Sequence, residues 1–313
     1  MTFFPGISDL SKRLLFSALM ILVTLSAAAA EPAALERHIV EADGHPMVVW
    51  EKRAQAAGQA ILLVHGRTWS ALPDFDLQVE GEDLSLMDGL VEAGYAVYAV
   101  DLRGYGETPR DATQWLTPNR AADDVGIILA WISSRDDWEV KPHLFGWSMG
   151  STVSQLAVQR HPNMASSLTL FGYWRDDDVD LAVDAPDIKP AFKRNTAEAA
   201  ASDFITPGSI SQKAIDAYVA HALRADPIRV DVRQVDQYNA LEGAQITVPV
   251  LVISGEYDPI APADVQLKLI SRFATGHKQW VSVPGGDHAA FLESSRDYFL
   301  RELVAFLRGV SAP

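Results

Sequence analysis

The sequence predicts an α/β protein: a mostly parallel, eight-stranded sheet with helices on both faces and a helical cap inserted after the sixth strand. Three observations predict it. Strand-like and helix-like segments alternate along most of the chain, the pattern of parallel strands joined by crossover helices. Ala60–Val64 is a continuous apolar run of strand length, as expected for a strand covered on both faces. The alternation breaks once, from about Gly172 to Thr247, where about 76 acidic, alanine-rich and aromatic residues carry no strong strand run.

In chain order, Glu36–Glu41 and Met47–Lys52 alternate on either side of the turn signal Asp43-Gly44 and read as an opening strand pair. Ala60–Val64 follows and ends in His65-Gly66-Arg67-Thr68-Trp69. A polar loop, Ser70–Glu82, leads to a helix pattern over Leu84–Glu92 that Gly94 stops. Tyr95–Val100 is the next strand, ending in Asp101-Leu102-Arg103-Gly104-Tyr105-Gly106. Asn119–Ser133 is helical in spacing, with Val125, Ile128, Leu129 and Ile132 on one face. Leu144–Phe145, a helix over Ser151–Gln159 and a strand over Ser167–Phe171 complete the first part, 31–171. In the expected cap, 172–247, Asn195–Ala201 and Ser211–Arg224 read as helices with a turn at Pro207-Gly208. The second part, 248–313, resumes with a strand over Val248–Ser254, a helix over Ala263–Phe273 and a strand over Gln279–Val283. Phe291–Arg308 closes the chain as an amphipathic helix.

At 313 residues and 48% hydrophobic, the chain has enough apolar material for one large core or a core with a sizeable insertion. Residues 1–30 have the parts of a secretory signal: Lys12 and Arg13, an apolar run from Leu14 to about Leu25, and small residues up to Ala30. The run falls short of the roughly 20 residues of a spanning helix. Export to the periplasm or medium, with cleavage near Ala30, is expected, and no membrane association afterwards. The absence of cysteine excludes disulfides, thiolate metal sites and a cysteine nucleophile. The formal charge is −15, and −16 without residues 1–30. A field of that sign repels nucleic acid and anionic lipid.

Chemistry concentrates at Gly146-Trp147-Ser148-Met149-Gly150. This G-x-S-x-G sequence sits between a strand and a helix, the context in which a strained turn presents a serine hydroxyl. A hydroxyl needs a base. Of the 8 histidines, His288 follows a strand at the C-terminal end of the sheet, in a glycine-bearing turn. The imidazole in turn needs an acid to orient it. Asp258 ends a strand and lies between serine and histidine in the chain. Asp176 is a reserve acid. Asp287 adjoins the histidine, but neighbouring residues at a strand end point to opposite sides.

With HGRTW, DLRGYGET, GWSMG, GEYDP and GGDH in this order, the chain from about Glu36 to Arg308 resembles the α/β-hydrolase family. The resemblance implies a catalytic triad of Ser148, Asp258 and His288, and an oxyanion hole from the backbone N–H groups of Arg67 and Met149. It implies no metal and no organic cofactor. Serine at the elbow sets the chain apart from the aspartate-bearing haloalkane dehalogenases and epoxide hydrolases. Acyl transfer to water is then expected, on an ester, lactone or thioester of a small apolar substrate, less often an amide. Cofactor-free haloperoxidase or perhydrolase activity and carbon–carbon bond hydrolysis on the same triad remain open, as does a binding protein that kept the fold without the chemistry. The HGRTW loop lacks the HGGPG pattern of proline iminopeptidases.

Other features have plainer readings. The acidic residues Asp176–Asp178, Asp180, Asp184 and Asp187 lack the glycine and closing glutamate of a calcium-binding loop and read as a solvated face. Trp69 and Trp147 are candidate substrate contacts; with Tyr173 and Trp174, each is equally suited to packing. Asp101 and Arg103 read as braces of the sheet edge.

Overall fold

The computed structural model describes residues 33–311 apart from 55, 137 and 139; the expected export signal at 1–30 lies outside them. Among the described residues eight strands are formed: β1 (Glu36–Ala42), β2 (His45–Arg53), β3 (Gln59–Val64), β4 (Tyr95–Asp101), β5 (His143–Trp147), β6 (Leu168–Phe171), β7 (Val250–Gly255) and β8 (Lys278–Val283). They make one sheet in the order β1-β2-β4-β3-β5-β6-β7-β8. The β1/β2 and β2/β4 pairs are antiparallel and the remaining pairs parallel.

Side chains alternate across a strand, so each central strand feeds two cores. From β3 to β7, Leu62, Val64, Leu144, Leu168, Leu170 and Val252 enter one core. It is closed by α3 (Pro118–Ser133), α4 (Met149–Arg160) and α7 (Ala263–Arg272). Ile61, Leu63, Phe145, Phe171, Leu251 and Ile253 enter the other. That face is covered by α1 (Ala71–Phe75), α2 (Leu86–Glu92) and α8 (Arg296–Ser311). Covering both faces explains why the inner strands read as unbroken apolar runs. Each fully buried Leu, Ile or Phe contributes roughly 1.5–3 kcal/mol relative to exposure.

The sequence places most elements within a few residues, and two differences have physical causes. Ser70–Glu82, expected as a loop, contains α1, whose five residues are too few to show a helical period. The last helix starts at Arg296 rather than Phe291. Phe291 and Leu292 are instead buried in a turn that Glu293 ties back to the Asp287 amide at 3.0 Å.

Between β6 and β7 the chain forms α5 (Ala197–Ala201), α6 (Gln212–Ala225) and two 3-10 turns, Val235–Ala240 and Gly243–Gln245. The two helices read from the sequence are both formed, and Gly172–Asn195 ahead of them carries no helix and no strand. Ion pairs hold part of it, with Lys268 3.0 Å from Asp176 and Arg175 3.0 Å from Asp177, and with Arg272 on Asp178. The acidic run is therefore largely neutralised by neighbouring cations. Ala214, Tyr218 and Ala222 of α6 join the second core.

The sheet order fixes where a site can form. The chain passes from β3 to β4 on one side and then crosses to β5 on the other, so the order reverses at β3. Such a reversal opens a crevice beyond the carboxyl ends of the two strands. Arg67 follows β3 there, and Ser148 follows β5.

Candidate active site

Ser148 follows β5 and caps α4 with φ 53° and ψ −118°. A side chain in that region costs on the order of 1–3 kcal/mol and persists only where the surroundings impose it. The surroundings here do so through glycines. A Cβ on Gly146 would lie 2.2 Å from the Gly150 carbonyl oxygen, and one on Gly150 would lie 2.1 Å from that of Val64. The Ser148 amide donates to the Phe171 carbonyl at 2.9 Å, and the Ser148 carbonyl accepts from the Ser151 amide at 3.0 Å. The turn is thus closed on both sides, with Ser148 half-buried at its tip.

His288 and Asp258 are both 5% exposed. The imidazole Nδ1 is 2.8 Å from Asp258 Oδ2. A carboxylate only accepts, so Nδ1 donates to it, and Nε2 lies on the far side of the ring. Asp258 is itself fixed, because Oδ1 accepts from the amides of Ile260 and Ala261 at 2.8 and 3.2 Å. The serine and the histidine share a neighbouring segment, Phe171-Gly172. Ser148 bonds to Phe171, and a Cβ on Gly172 would lie 2.8 Å from His288 Cε1. The Trp147 indole N–H also donates to the His288 carbonyl at 2.7 Å.

Asp287, next to the histidine, spends its carboxylate on the amides of Thr206 and Ala289, at 2.5 and 3.0 Å. Its own amide donates to Glu293, whose carboxyl burial pushes up to about 7. Asp176 is taken by Lys268. Asp258 is therefore the acid on the ring.

The Met149 amide is the first of α4, and the leading N–H groups of a helix have no acceptor within it. The Arg67 amide has no backbone acceptor among the described residues. Sequence reasoning missed what shapes the Arg67 loop. His65 is fully buried, with Nδ1 2.8 Å from the Gly66 carbonyl and Nε2 accepting from the Leu102 amide at 3.1 Å. Burial lowers its pKa to about 4, so it is a neutral clamp between the loops after β3 and β4. Its signal in the sequence is only its place at a strand end.

A cavity of about 270 Å³ opens on Ser148, walled by Arg67, Met149, Trp174, Val232, Tyr238 and Ile260 with their neighbour Val235. Most of these are apolar, and three come from the stretch just before and within the first 3-10 turn of the insertion. The two tryptophans expected at the substrate lie elsewhere. Trp69 is 1% exposed with its indole on Asp203, and Trp147 is 4% exposed, packed against Phe291 with ring centroids 4.9 Å apart. Both point into the second core rather than the cavity, because adjacency to a motif does not say which face of the sheet a residue covers. Asp101 and Arg103 are braces: Asp101 accepts from the Trp50 indole at 3.0 Å, and Arg103 grips Asp124 at 2.6 and 2.7 Å.

A second polar cluster joins the insertion to the core. The Tyr218 hydroxyl is 2.9 Å from Asp74 Oδ1 and 3.1 Å from Asp203 Oδ2. One hydroxyl hydrogen serves only one acceptor, so one carboxyl must hold a proton of its own. Burial agrees: it holds Asp74 well above the ordinary carboxylate range and pushes Asp203 up to about 6.

A family model described as serine aminopeptidase, S33, matches residues 55–295. Among solved structures, the chain is similar to a thermophilic esterase from Thermogutta terrifontis, with 19% identity and a TM-score of 0.65 over 88% of this chain and 100% of that one. It is similar to CarC, a serine hydrolase involved in carbazole degradation, with 18% identity and a TM-score of 0.63 over 88% and 99%. The thioesterase domain from the curacin biosynthetic pathway matches with 14% identity and a TM-score of 0.63 over 87% and 99%. Identities this low show a shared fold, and the reaction has to be argued from the site.

Proposed function

Because this chain belongs to the serine aminopeptidase S33 family of α/β-hydrolases, we propose that it is a serine hydrolase that cleaves a small carboxylic ester through an acyl-enzyme. The observation that carries this reading is a strained Ser148 on an apolar cavity, bonded to Phe171, while the His288–Asp258 pair packs on the adjoining Gly172.

In this reading Ser148 Oγ attacks the ester carbonyl carbon while His288 Nε2 takes the hydroxyl proton. The carbonyl oxygen becomes an oxyanion that accepts from the Arg67 and Met149 amides. Such a donor is worth on the order of 10²–10³ in rate. Collapse breaks the carbon–oxygen bond to the leaving alcohol, which receives the proton from His288. Water then adds to the acyl-enzyme by the same route and releases the acid. Asp258 holds the Nδ1–H tautomer and offsets the imidazolium charge. Lactones and thioesters present the same carbonyl.

An ester fits the cavity better than a peptide with a free amino terminus. An aminopeptidase has to hold an α-ammonium group, whereas the described wall of this cavity carries Arg67 and no carboxylate. Export with cleavage near Ala30 is part of the same proposal, and N-terminal sequencing of the mature protein tests it: a first residue of Glu31 is expected.

The test of the reaction is Ser148→Ala. Turnover of p-nitrophenyl esters should fall by roughly 10⁶, with an unaltered far-UV circular dichroism spectrum. Retained turnover means another nucleophile.

A further inference from the structure

The wall of the Ser148 cavity is mostly apolar, and the one charged residue on it among the described residues is Arg67, whose guanidinium acts on Tyr238 of the same wall. Among the described residues no carboxylate pairs with Arg67. Many other arginines find acids, as Arg103 does on Asp124 at 2.6 Å, Arg110 on Asp231 at 3.0 Å and Arg175 on Asp177 at 3.0 Å; Arg194, Arg224, Arg229 and Arg308, like Arg67, have none among the described residues.

Arg67 is itself exposed, so its guanidinium is a local cation at the site, against the field of a chain at −15. A neutral substrate makes no use of this; an anionic one would be repelled by the rest of the surface without it. A guanidinium offers a planar fork of donors that matches a carboxylate.

We propose that Arg67 selects substrates bearing a carboxylate, so that the enzyme acts on esters with an apolar segment and a free carboxylate within reach of the cavity rim. This rests on the serine-hydrolase reading of Ser148. The carboxylate belongs either to the acyl part, as in a half-ester of a short dicarboxylic acid, or to the leaving alcohol.

The experiment compares p-nitrophenyl butyrate with mono-p-nitrophenyl glutarate, and phenyl butyrate with 4-carboxyphenyl butyrate, in the wild type and Arg67→Gln. The quantity read is the ratio of kcat/KM for the anionic to the neutral ester within each protein, so that any change common to both esters cancels. One of the two ratios is expected to fall on the order of tenfold to a hundredfold in Arg67→Gln, and which one falls identifies the side that carries the carboxylate. Arg67→Lys should retain part of it. Unchanged ratios in both pairs overturn the proposal. A binding measurement separates this result from failure of the hydrolase reading: calorimetric titration of both glutarate and 4-carboxyphenyl butyrate into Ser148→Ala and Ser148→Ala/Arg67→Gln. At least tenfold weaker binding of either anion to the double variant supports the role of Arg67 whatever the nucleophile. Equal affinities for both contradict it.

Discussion

Asp258 and His288 form a pair in which each oxygen of the carboxylate has a separate duty. Oδ2 meets His288 Nδ1 at 2.8 Å, and Oδ1 is held by the amides of Ile260 and Ala261. The second set of bonds fixes the direction of the first. Asp258→Asn keeps the shape but lets the amide NH₂ face Nδ1, which favours the wrong tautomer. We expect kcat/KM for a p-nitrophenyl ester to fall by about 10⁴, with the melting temperature little altered. Loss of less than tenfold would show that the acid is not Asp258.

The elbow predicts a sharp contrast among glycines. Gly146→Ala and Gly150→Ala put a methyl group 2.2 and 2.1 Å from backbone oxygens that cannot yield without moving the start of α4 or the end of β3. Each should cost about 3 kcal/mol or more in urea unfolding, or abolish soluble expression. Gly208→Ala, where nothing lies within 4 Å but φ is +82°, should cost only on the order of 1 kcal/mol. Equal effects at the three positions would remove the steric argument.

Stability should depend on pH through the Tyr218 cluster. Asp203 has its pKa raised to about 6, mainly by burial, against about 3.9 for an unfolded aspartate. Between these values the folded chain holds more protons than the unfolded one, so this contribution is complete below about pH 4 and is lost as pH rises to about 6. Asp74, raised further, keeps its contribution to higher pH. His65 and His143, both lowered to about 4 by burial, act in the opposite direction, losing stability as pH falls from about 6.5. Those histidines are common to the wild type and Asp203→Asn. The difference in melting temperature between the two proteins should therefore shift against the wild type from pH 4 to pH 6. A difference independent of pH would contradict the shared-proton arrangement.

The cavity wall should set chain-length preference. Trp174 lines it and is held by its indole N–H to Thr152 Oγ1 at 3.3 Å. Trp174→Ala enlarges the space next to Ser148, and the ratio of kcat/KM for p-nitrophenyl octanoate over butyrate should rise about tenfold, the scale of a few methylenes in an apolar pocket. The same substitution at Trp69, buried away from the cavity, should lower stability and leave that ratio unchanged.

What the sequence makes legible follows from how local the cause is. The inner strands are readable because covering both faces demands an unbroken apolar run, and Ser148 because the elbow needs its two glycines within five residues. His288 and Asp258 are readable as strand-end residues once a parallel sheet is granted. The rest depends on contacts across the chain. The faces of Trp69 and Trp147 are fixed by packing against residues such as Phe291, far away in sequence. Val232, Val235 and Tyr238 come from a stretch with no periodic pattern, so nothing local marks them as cavity wall. The start of α8 is displaced by the hold of Glu293 on Asp287, a constraint no helix period contains.

The most direct test of the central claim is labelling of the purified protein with a fluorophosphonate probe, followed by peptide mass spectrometry. The expected result is a single adduct on Ser148, absent in Ser148→Ala and strongly slowed in His288→Ala. No adduct, or an adduct on another residue that survives Ser148→Ala, would contradict the assignment of Ser148 as the activated nucleophile.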